Sequence, residues 1–476
     1  MLNSVQQKSA QQNSARKIDA AEEFAAAVVA TRYEDLPQET IAVTKRSILD
    51  ALGVAVAASG IVPEVKALVD LVKEGGGKEE STIWGFGGKV PAWMAAYANG
   101  AMAHALDYDD VYDENGVHPS ATAVPAAMAI AERAGGISGK DLIVAIALAN
   151  DMISRMSRAV VWKRDWFLTP AFGVFAGAAA CGKLLKLDKN QIVDALGIAF
   201  CQSAGTMEIV YGTDSNIRAM YESFVGKAGV LSALMAQRGI SGVKASMEGE
   251  NGLFNVYFDG QYDRDVLTAD LGRRFEGTDV SFKAWPFCRR AHPAVTAILP
   301  LMRREKIPAD SIKRITVDTN AGSEQLCTPA ESRVTPRTQL DAKFSIPYTV
   351  ANAVLKGWVG LEDFTDEAIK DPRTIALAHK VKARHNPAYE SICGMTPGKV
   401  EVETNDGKVY SYTEEFTYGH PGNPISLEDT ARKFRDCMSR AANPIGADAI
   451  EQMVNTFSRL ETVTDVGEIA RRLGNG

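Results

Sequence analysis

The sequence predicts a mainly α fold: one large all-helical domain made of N-terminal and C-terminal segments, with a smaller α+β lid domain inserted between them. Three observations carry this reading. Apolar residues recur at helical spacing almost throughout from Ala20 to Leu271, the texture turns strand-like near Phe282, and helical, charged segments return from about Leu427 to Leu473. The boundaries fall at 18–278 plus 416–476 for the helical domain and 279–415 for the lid, with 1–17 as a mobile tail. At 476 residues the chain exceeds one ordinary core, which also argues for two units.

Each element has a local reason. Ile41, Ile48, Leu49, Leu52 and Val56 share one helical face, and Gly60 is placed to end that helix. Ser138 with Asp141, and Asp188 with Gln191, have the spacing of capping boxes ahead of the apolar runs DLIVAIALA and IVDALGIAF. The run Phe172 to Leu185 (FGVFAGAAACGKLL) is dominated by small residues, so another helix can approach it closely near the centre of the cluster. Phe224 to Gln237 reads as a further buried helix ended by Gly239. In the lid, IKRITVDT alternates as a half-buried strand, and KVEVET, Asn405-Asp406-Gly407 and KVYSYTEE read as a hairpin with a tight Asp-Gly turn. PYTVANAVLKG and LEDFTDEAIKD between them look helical, as do EDTARKFRDCMSRA and IEQMVNTFSRLE in the tail.

Composition excludes several classes. The net charge is −7, from 52 basic and 59 acidic residues, which leaves no electrostatic footprint for nucleic acid or an anionic membrane. A small anion remains a fitting partner, because a few arginines dominate a pocket locally. The six cysteines show no CxxC pair or zinc-like spacing and read as reduced thiols of a cytoplasmic protein. No uninterrupted apolar run reaches the roughly 18–20 residues of a membrane span. GFGGK at 85–89 matches neither a dinucleotide nor a P-loop spacing.

The stretch from Asn99 to Ala127 carries the functional signal. It places Asp107, Asp109, Asp110 and His118 between apolar helical segments, where each would cost several kcal/mol to bury unpaired. His118, in Gly-Val-His-Pro-Ser, titrates nearest neutrality and suits proton transfer, with Asp107 as orienting partner or base. DYDD lacks the glycine and downstream glutamate of a calcium loop, and no metal site is expected. A second cluster, FKAWPFCRRAHPA, offers Arg289 and Arg290 for carboxylate capture and His292 as another acid or base. A third, GTDSNIRAMY, brings Arg218 to a helix start, and AKFSIPYTVA brings Lys343 and Tyr348 to another. Each of these has a structural alternative: a solvated arginine pair, an ordinary capped helix start, a core tyrosine.

In their order along the chain, NGAMAHALDYDD, GVHPSA, FGVFAGAAA, GVLSALMAQRGISG, MEGENGLF, FKAWPFCRRAHPA and AKFSIPY resemble the MmgE/PrpD family, over about Asp50 to Gly360. That family contains 2-methylcitrate dehydratase, cis-aconitate decarboxylase and iminodisuccinate epimerase. The resemblance implies a helical domain with an inserted lid, a homodimer, an interdomain active site and chemistry without metal or organic cofactor. It carries over Asp107, His118, His292 and Tyr348 as catalytic residues. Two strings depart: Phe167 in one and Tyr221 in the other stand where family lyases commonly have histidine, and in the second Arg218 stands where they have lysine. The expected activity is a dehydratase-like lyase abstracting a proton next to a carboxylate of a small di- or tricarboxylate, with Arg218, Lys343 and an arginine of the 289/290 pair holding its carboxylates. An epimerase and a non-catalytic carboxylate-binding dimer are the alternatives.

Overall fold

The computed structural model describes residues 18–211, 215–390 and 394–474; the expected mobile tail, residues 1–17, lies outside the described residues. The starts of the helices that open at Ala20, Gly139 and Lys189 are set by side chains that accept backbone N–H groups. Asp19 caps α1 (Ala20–Ala30). The long α2 (Gln38–Ile61) runs until Pro63 opens α3 (Pro63–Gly75). Gly60 therefore lies inside α2 rather than ending it. A Cβ at Gly60 would meet the Arg440 carbonyl oxygen at 2.0 Å, so the glycine serves the close approach of the C-terminal segment.

After a short antiparallel pair, β1 (Ser81–Thr82) and β2 (Lys89–Val90), come α4 (Ala92–His104), α5 (Pro119–Ala134), α6 (Gly139–Ala159), α7 (Leu168–Leu184) and α8 (Lys189–Phe200). The one-turn α9 (Glu208–Tyr211) and α10 (Glu222–Gln237) complete the N-terminal helices of interest. Both expected capping boxes form, Ser138 with Asp141 on α6 and Asp188 with Gln191 on α8. The core is where α10 packs on α4, α7 and α8, and α7 on α5 and α6. The small residues make this possible: a Cβ on Gly229 of α10 would lie 2.8 Å from the Gly177 carbonyl carbon of α7.

The α+β part contains β3 (Ile312–Thr319), β4 (Val381–His385), β5 (Gly398–Thr404) and β6 (Val409–Glu414) in the order β4-β3-β5-β6. β3 runs parallel to β4 and antiparallel to β5, with Ile315 opposite Val381 and Val317 opposite Val400. The β5–β6 hairpin pairs Val402 with Tyr410, and Gly407 supplies a φ of +84° at its turn. Helices His292–Glu305 and Ile346–Lys356 pack on the sheet. LEDFTDEAIKD is not a continuous helix but two 3₁₀ turns, Leu361–Phe364 and Ala368–Lys370. The Asp363 carboxylate accepts the Gly360 N–H at 2.7 Å and so caps the first of these turns.

The chain end returns to the helical core: Leu427–Met438 packs along α2, and Gly467–Gly474 against α5 and β1. With about 59% of residues helical and two small sheets among the described residues, the fold is mainly α with a smaller α+β part. No single helix among the described residues is long and apolar enough to cross a membrane.

Candidate active site

Four helix ends converge on one point. α4 finishes on His104, while His118, Phe167 and Tyr221 are the N-cap residues of α5, α7 and α10. Their rings touch: His104 lies 4.5 Å from His118 and 5.0 Å from Tyr221 between centroids, and Tyr221 packs on Phe167 at 4.5 Å. None of the three N-cap side chains bonds its own helix. Three helix N-termini aimed at one place favour negative charge there.

The loop between α4 and α5 supplies the acids. Asp107 adopts φ +52°, which lets the chain reverse directly after α4; aspartate tolerates this left-handed region better than most residues. The loop is fastened to the segment around Lys283 on both sides. Val111 and Ser281 exchange backbone bonds of 2.9 and 2.8 Å, and the Tyr108 hydroxyl donates to the Ala284 carbonyl at 3.1 Å. Lys433, from the C-terminal helix, donates to the carbonyls of Tyr108 (2.6 Å) and Lys283 (2.9 Å) and pairs with buried Asp50 at 2.7 Å.

Asp109 is fully buried between two imidazoles. His104 Nδ1 lies 3.0 and 3.1 Å from its two oxygens, and His118 Nδ1 lies 2.9 Å from Oδ2 while donating to the Asp110 carbonyl at 2.9 Å. A carbonyl only accepts, so His118 carries its proton on Nδ1 and keeps Nε2 as the basic nitrogen. Burial would push the Asp109 carboxyl up, but His104, His118 and Lys283 outweigh it and hold it well below the usual range. Burial also lowers His104 below the ordinary imidazole value, against the pull of Asp109.

Cations gather around Asp107. Lys283 Nζ donates to its Oδ1 at 2.6 Å and its carbonyl at 2.9 Å. Burial acts to raise Asp107, yet Lys283, then Arg218 and the imidazoles, keep it ionised and below the usual carboxylate range. Lys343 donates to the Leu106 carbonyl at 3.0 Å, and burial brings its ammonium down to about 8. The Arg218 guanidinium stacks 4.7 Å over the Phe344 ring, and its buried Nε has no hydrogen-bond partner among the described residues. His104, Asp107 and His118 present ligand atoms within 4.8 Å of one another, but the Lys283 ammonium already neutralises Asp107.

Of the residues nominated from sequence, Asp107, His118, Arg218 and Lys343 come together here. The others are engaged elsewhere. Arg289 is bound bidentately to Asp113 at 3.0 and 2.9 Å and donates to the Tyr418 carbonyl, zipping the two loops together. Arg290 is exposed and reaches the Gly322 carbonyl at 3.4 Å. His292 is fully buried against Trp285 and Phe287 and donates from Nε2 to the Phe287 carbonyl at 3.1 Å. The Tyr348 hydroxyl donates to the Asp363 carbonyl at 2.5 Å. Sequence reasoning passed over His104 and Lys283. His104 carried a signal, standing three and five residues before Asp107 and Asp109 at a helix end. Lys283 carried none, because nothing local marks a lysine as buried.

The chain matches known sequences along nearly its whole length. A sequence profile described as the MmgE/PrpD N-terminal domain matches residues 22–265, and one described as the MmgE/PrpD C-terminal domain matches residues 285–459. The cis-aconitate decarboxylase of Aspergillus terreus is 27% identical over 92% of each chain. That of Homo sapiens is 26% identical over 93% of this chain and 92% of its own. The 2-methylcitrate dehydratase of Salmonella typhimurium is 23% identical over 87% of this chain and 92% of its own.

Proposed function

Because this chain belongs to the MmgE/PrpD family, we propose that it is a cofactor-independent lyase, acting on a small di- or tricarboxylate at the carbon next to a carboxylate. The observation that carries the reading is an imidazole pair on one buried aspartate, His104–Asp109–His118, facing Lys283, Lys343 and Arg218 around Asp107. Such chemistry needs a base for the α-proton, cations for the negative charge that develops, and a proton donor for the departing group or the new carbanion. His118 Nε2 serves as base, the imidazolium it becomes is balanced by Asp109, and His104 holds the second exchangeable proton. The α+β segment closes the site as a lid through Lys343.

A dehydratase-like loss of water is the reading carried from the motifs. Loss of carbon dioxide is the second reading, favoured by full-length relatives named cis-aconitate decarboxylase. Epimerisation would need bases on opposite faces of one carbon, whereas both imidazoles here hang from one carboxylate with centroids 4.5 Å apart.

Incubation with cis-aconitate, 2-methylcitrate and other di- and tricarboxylates in D₂O, followed by NMR, tests the proposal. New vinyl signals from a hydroxy acid or loss of a carboxyl carbon support a lyase. Deuterium exchange without a new skeleton indicates an epimerase, and no change across the panel with saturable binding indicates a carboxylate-binding protein. We extend the proposal to a homodimer, checked by light scattering, and to a reducing, cytoplasmic setting, which suits the five unpaired cysteines among the described residues.

A further inference from the structure

Glu222, the first residue of α10, is completely buried at the crossing of α10 with α4 and α5. A Cβ on Gly100 of α4 would lie 2.6 Å from the Glu222 carbonyl oxygen, so the backbone there has no room to retreat. The groups acting on its carboxyl among the described residues are the Thr122 hydroxyl from α5, the neighbouring Tyr221 phenol and the Asp109 carboxylate from the α4–α5 loop. The phenol in turn faces Thr169 of α7, and His104 of α4 reaches this group through Asp109. None of these is a cation placed to balance a charge on Glu222. A buried carboxylate without a cation is costly, and a second negative charge beside Asp109 adds to that cost.

Hydrogen-bond valence points the same way. Thr122 Oγ1 lies 2.9 Å from Glu222 Oε2 and 3.2 Å from the His118 carbonyl oxygen. The carbonyl can only accept and Thr122 has a single hydroxyl proton, so an ionised Glu222 would compete with the carbonyl for it. Both contacts are full hydrogen bonds only when Glu222 donates. The order is Glu222 Oε2–H to Thr122 Oγ1, and Thr122 Oγ1–H to the His118 carbonyl. Glu222 Oε1, the other carboxyl oxygen, has no hydrogen-bond partner among the described residues.

We propose that Glu222 is a positioning residue for His118: as a neutral carboxylic acid it holds Thr122, which fixes the His118 backbone at the start of α5, and it keeps a second negative charge away from Asp109. The imidazole pair thus faces no carboxylate among the described residues beyond Asp109 and the Lys283-paired Asp107. The proposal rests on His118 as the base of the lyase reading, but its main readouts use the substrate-free protein.

The test compares wild type with Glu222→Gln, Thr122→Val and Thr122→Ser. Infrared difference spectra of wild type against Glu222→Gln should show a protonated-carboxyl band that persists at about pH 7. NMR titration should show the His118 midpoint moved by less than about half a unit in Glu222→Gln, since glutamine is also neutral and donates to Thr122. Thr122→Val should shift the His118 Nδ1–H resonance, and Thr122→Ser should restore it. With an active substrate, kcat should fall about tenfold in Thr122→Val with KM little changed. Absence of the carboxyl band, a His118 midpoint displaced by a full unit in Glu222→Gln, or an unmoved resonance in Thr122→Val each overturn the proposal. A substrate panel without turnover leaves all three readouts intact, so failure of the lyase reading is distinguishable.

Discussion

Replacing Lys283 by methionine tests the electrostatic centre of the site. The ammonium is 1% exposed and lies 2.6 Å from Asp107 Oδ1, while the Asp107 side chain is 18% exposed. At that distance and an effective dielectric of about 20, the gross attraction is about 6 kcal/mol. Desolvation offsets much of it, and removing one partner of such a buried pair costs about 3–5 kcal/mol in practice. Lys283→Met should therefore lower the unfolding free energy by about 3–5 kcal/mol, read from urea midpoints at unchanged slope. Asp107→Asn is the matching change on the other side, because asparagine also tolerates φ +52°. Alone it leaves the ammonium uncompensated and destabilises as well. The double variant removes both charges, so its cost should be smaller than the sum of the two single costs by at least about 2 kcal/mol. All three variants should lose turnover, which separates the stability argument from the catalytic one. Additive costs in the double variant would refute the claim that Lys283 and Asp107 are held mainly by one another.

His118→Ala should abolish detectable turnover while retaining the far-UV circular dichroism of wild type, and His104→Ala should reduce kcat about 100-fold; wild-type rates in His118→Ala would remove it as the base. Lys343 loses its proton at about 8 in the folded protein, so its charge is present below that value and fades above it. KM for a carboxylate substrate should rise as pH climbs past about 8, and Lys343→Met should give a high KM at every pH, measured by initial rates. Asp110 accepts from Ser120 Oγ at 2.5 Å and from Ser47 at 3.1 Å, and burial pushes its carboxyl up to about 7. A raised acid favours the folded state at low pH and loses that advantage as pH rises from about 4 to about 7. The melting temperature of Asp110→Asn relative to wild type should accordingly increase across that window; a constant difference contradicts the assignment.

Patterns spanning a few residues were readable without the structure. The capping boxes of α6 and α8, the strand β3 and the Asp-Gly hairpin follow from side chains that act within three or four positions of themselves. Asp107 and His118 stood out for the same reason: polar residues gathered in one short stretch between apolar helices. Gly60 shows where that kind of reading fails, because its absent Cβ makes room for Arg440, a contact between chain segments far apart in sequence.

The remaining assignments were decided by tertiary structure. A lysine or arginine can pair with any acid it meets, and which one it meets depends on how distant segments cross. Lys283 reaches Asp107 across 176 positions, whereas Arg289 is bound by Asp113 at the same separation. His292 and Tyr348 donate to the backbone carbonyls of Phe287 and Asp363, because a buried N–H or O–H takes the acceptor within reach. By itself, then, the sequence determined the helical frame, the hairpin and the acid-and-histidine loop, which local spacing and capping control. Packing alone brought the ends of α4, α5, α7 and α10 together and set which charges face one another, since burial and pairing are properties of neighbours in space.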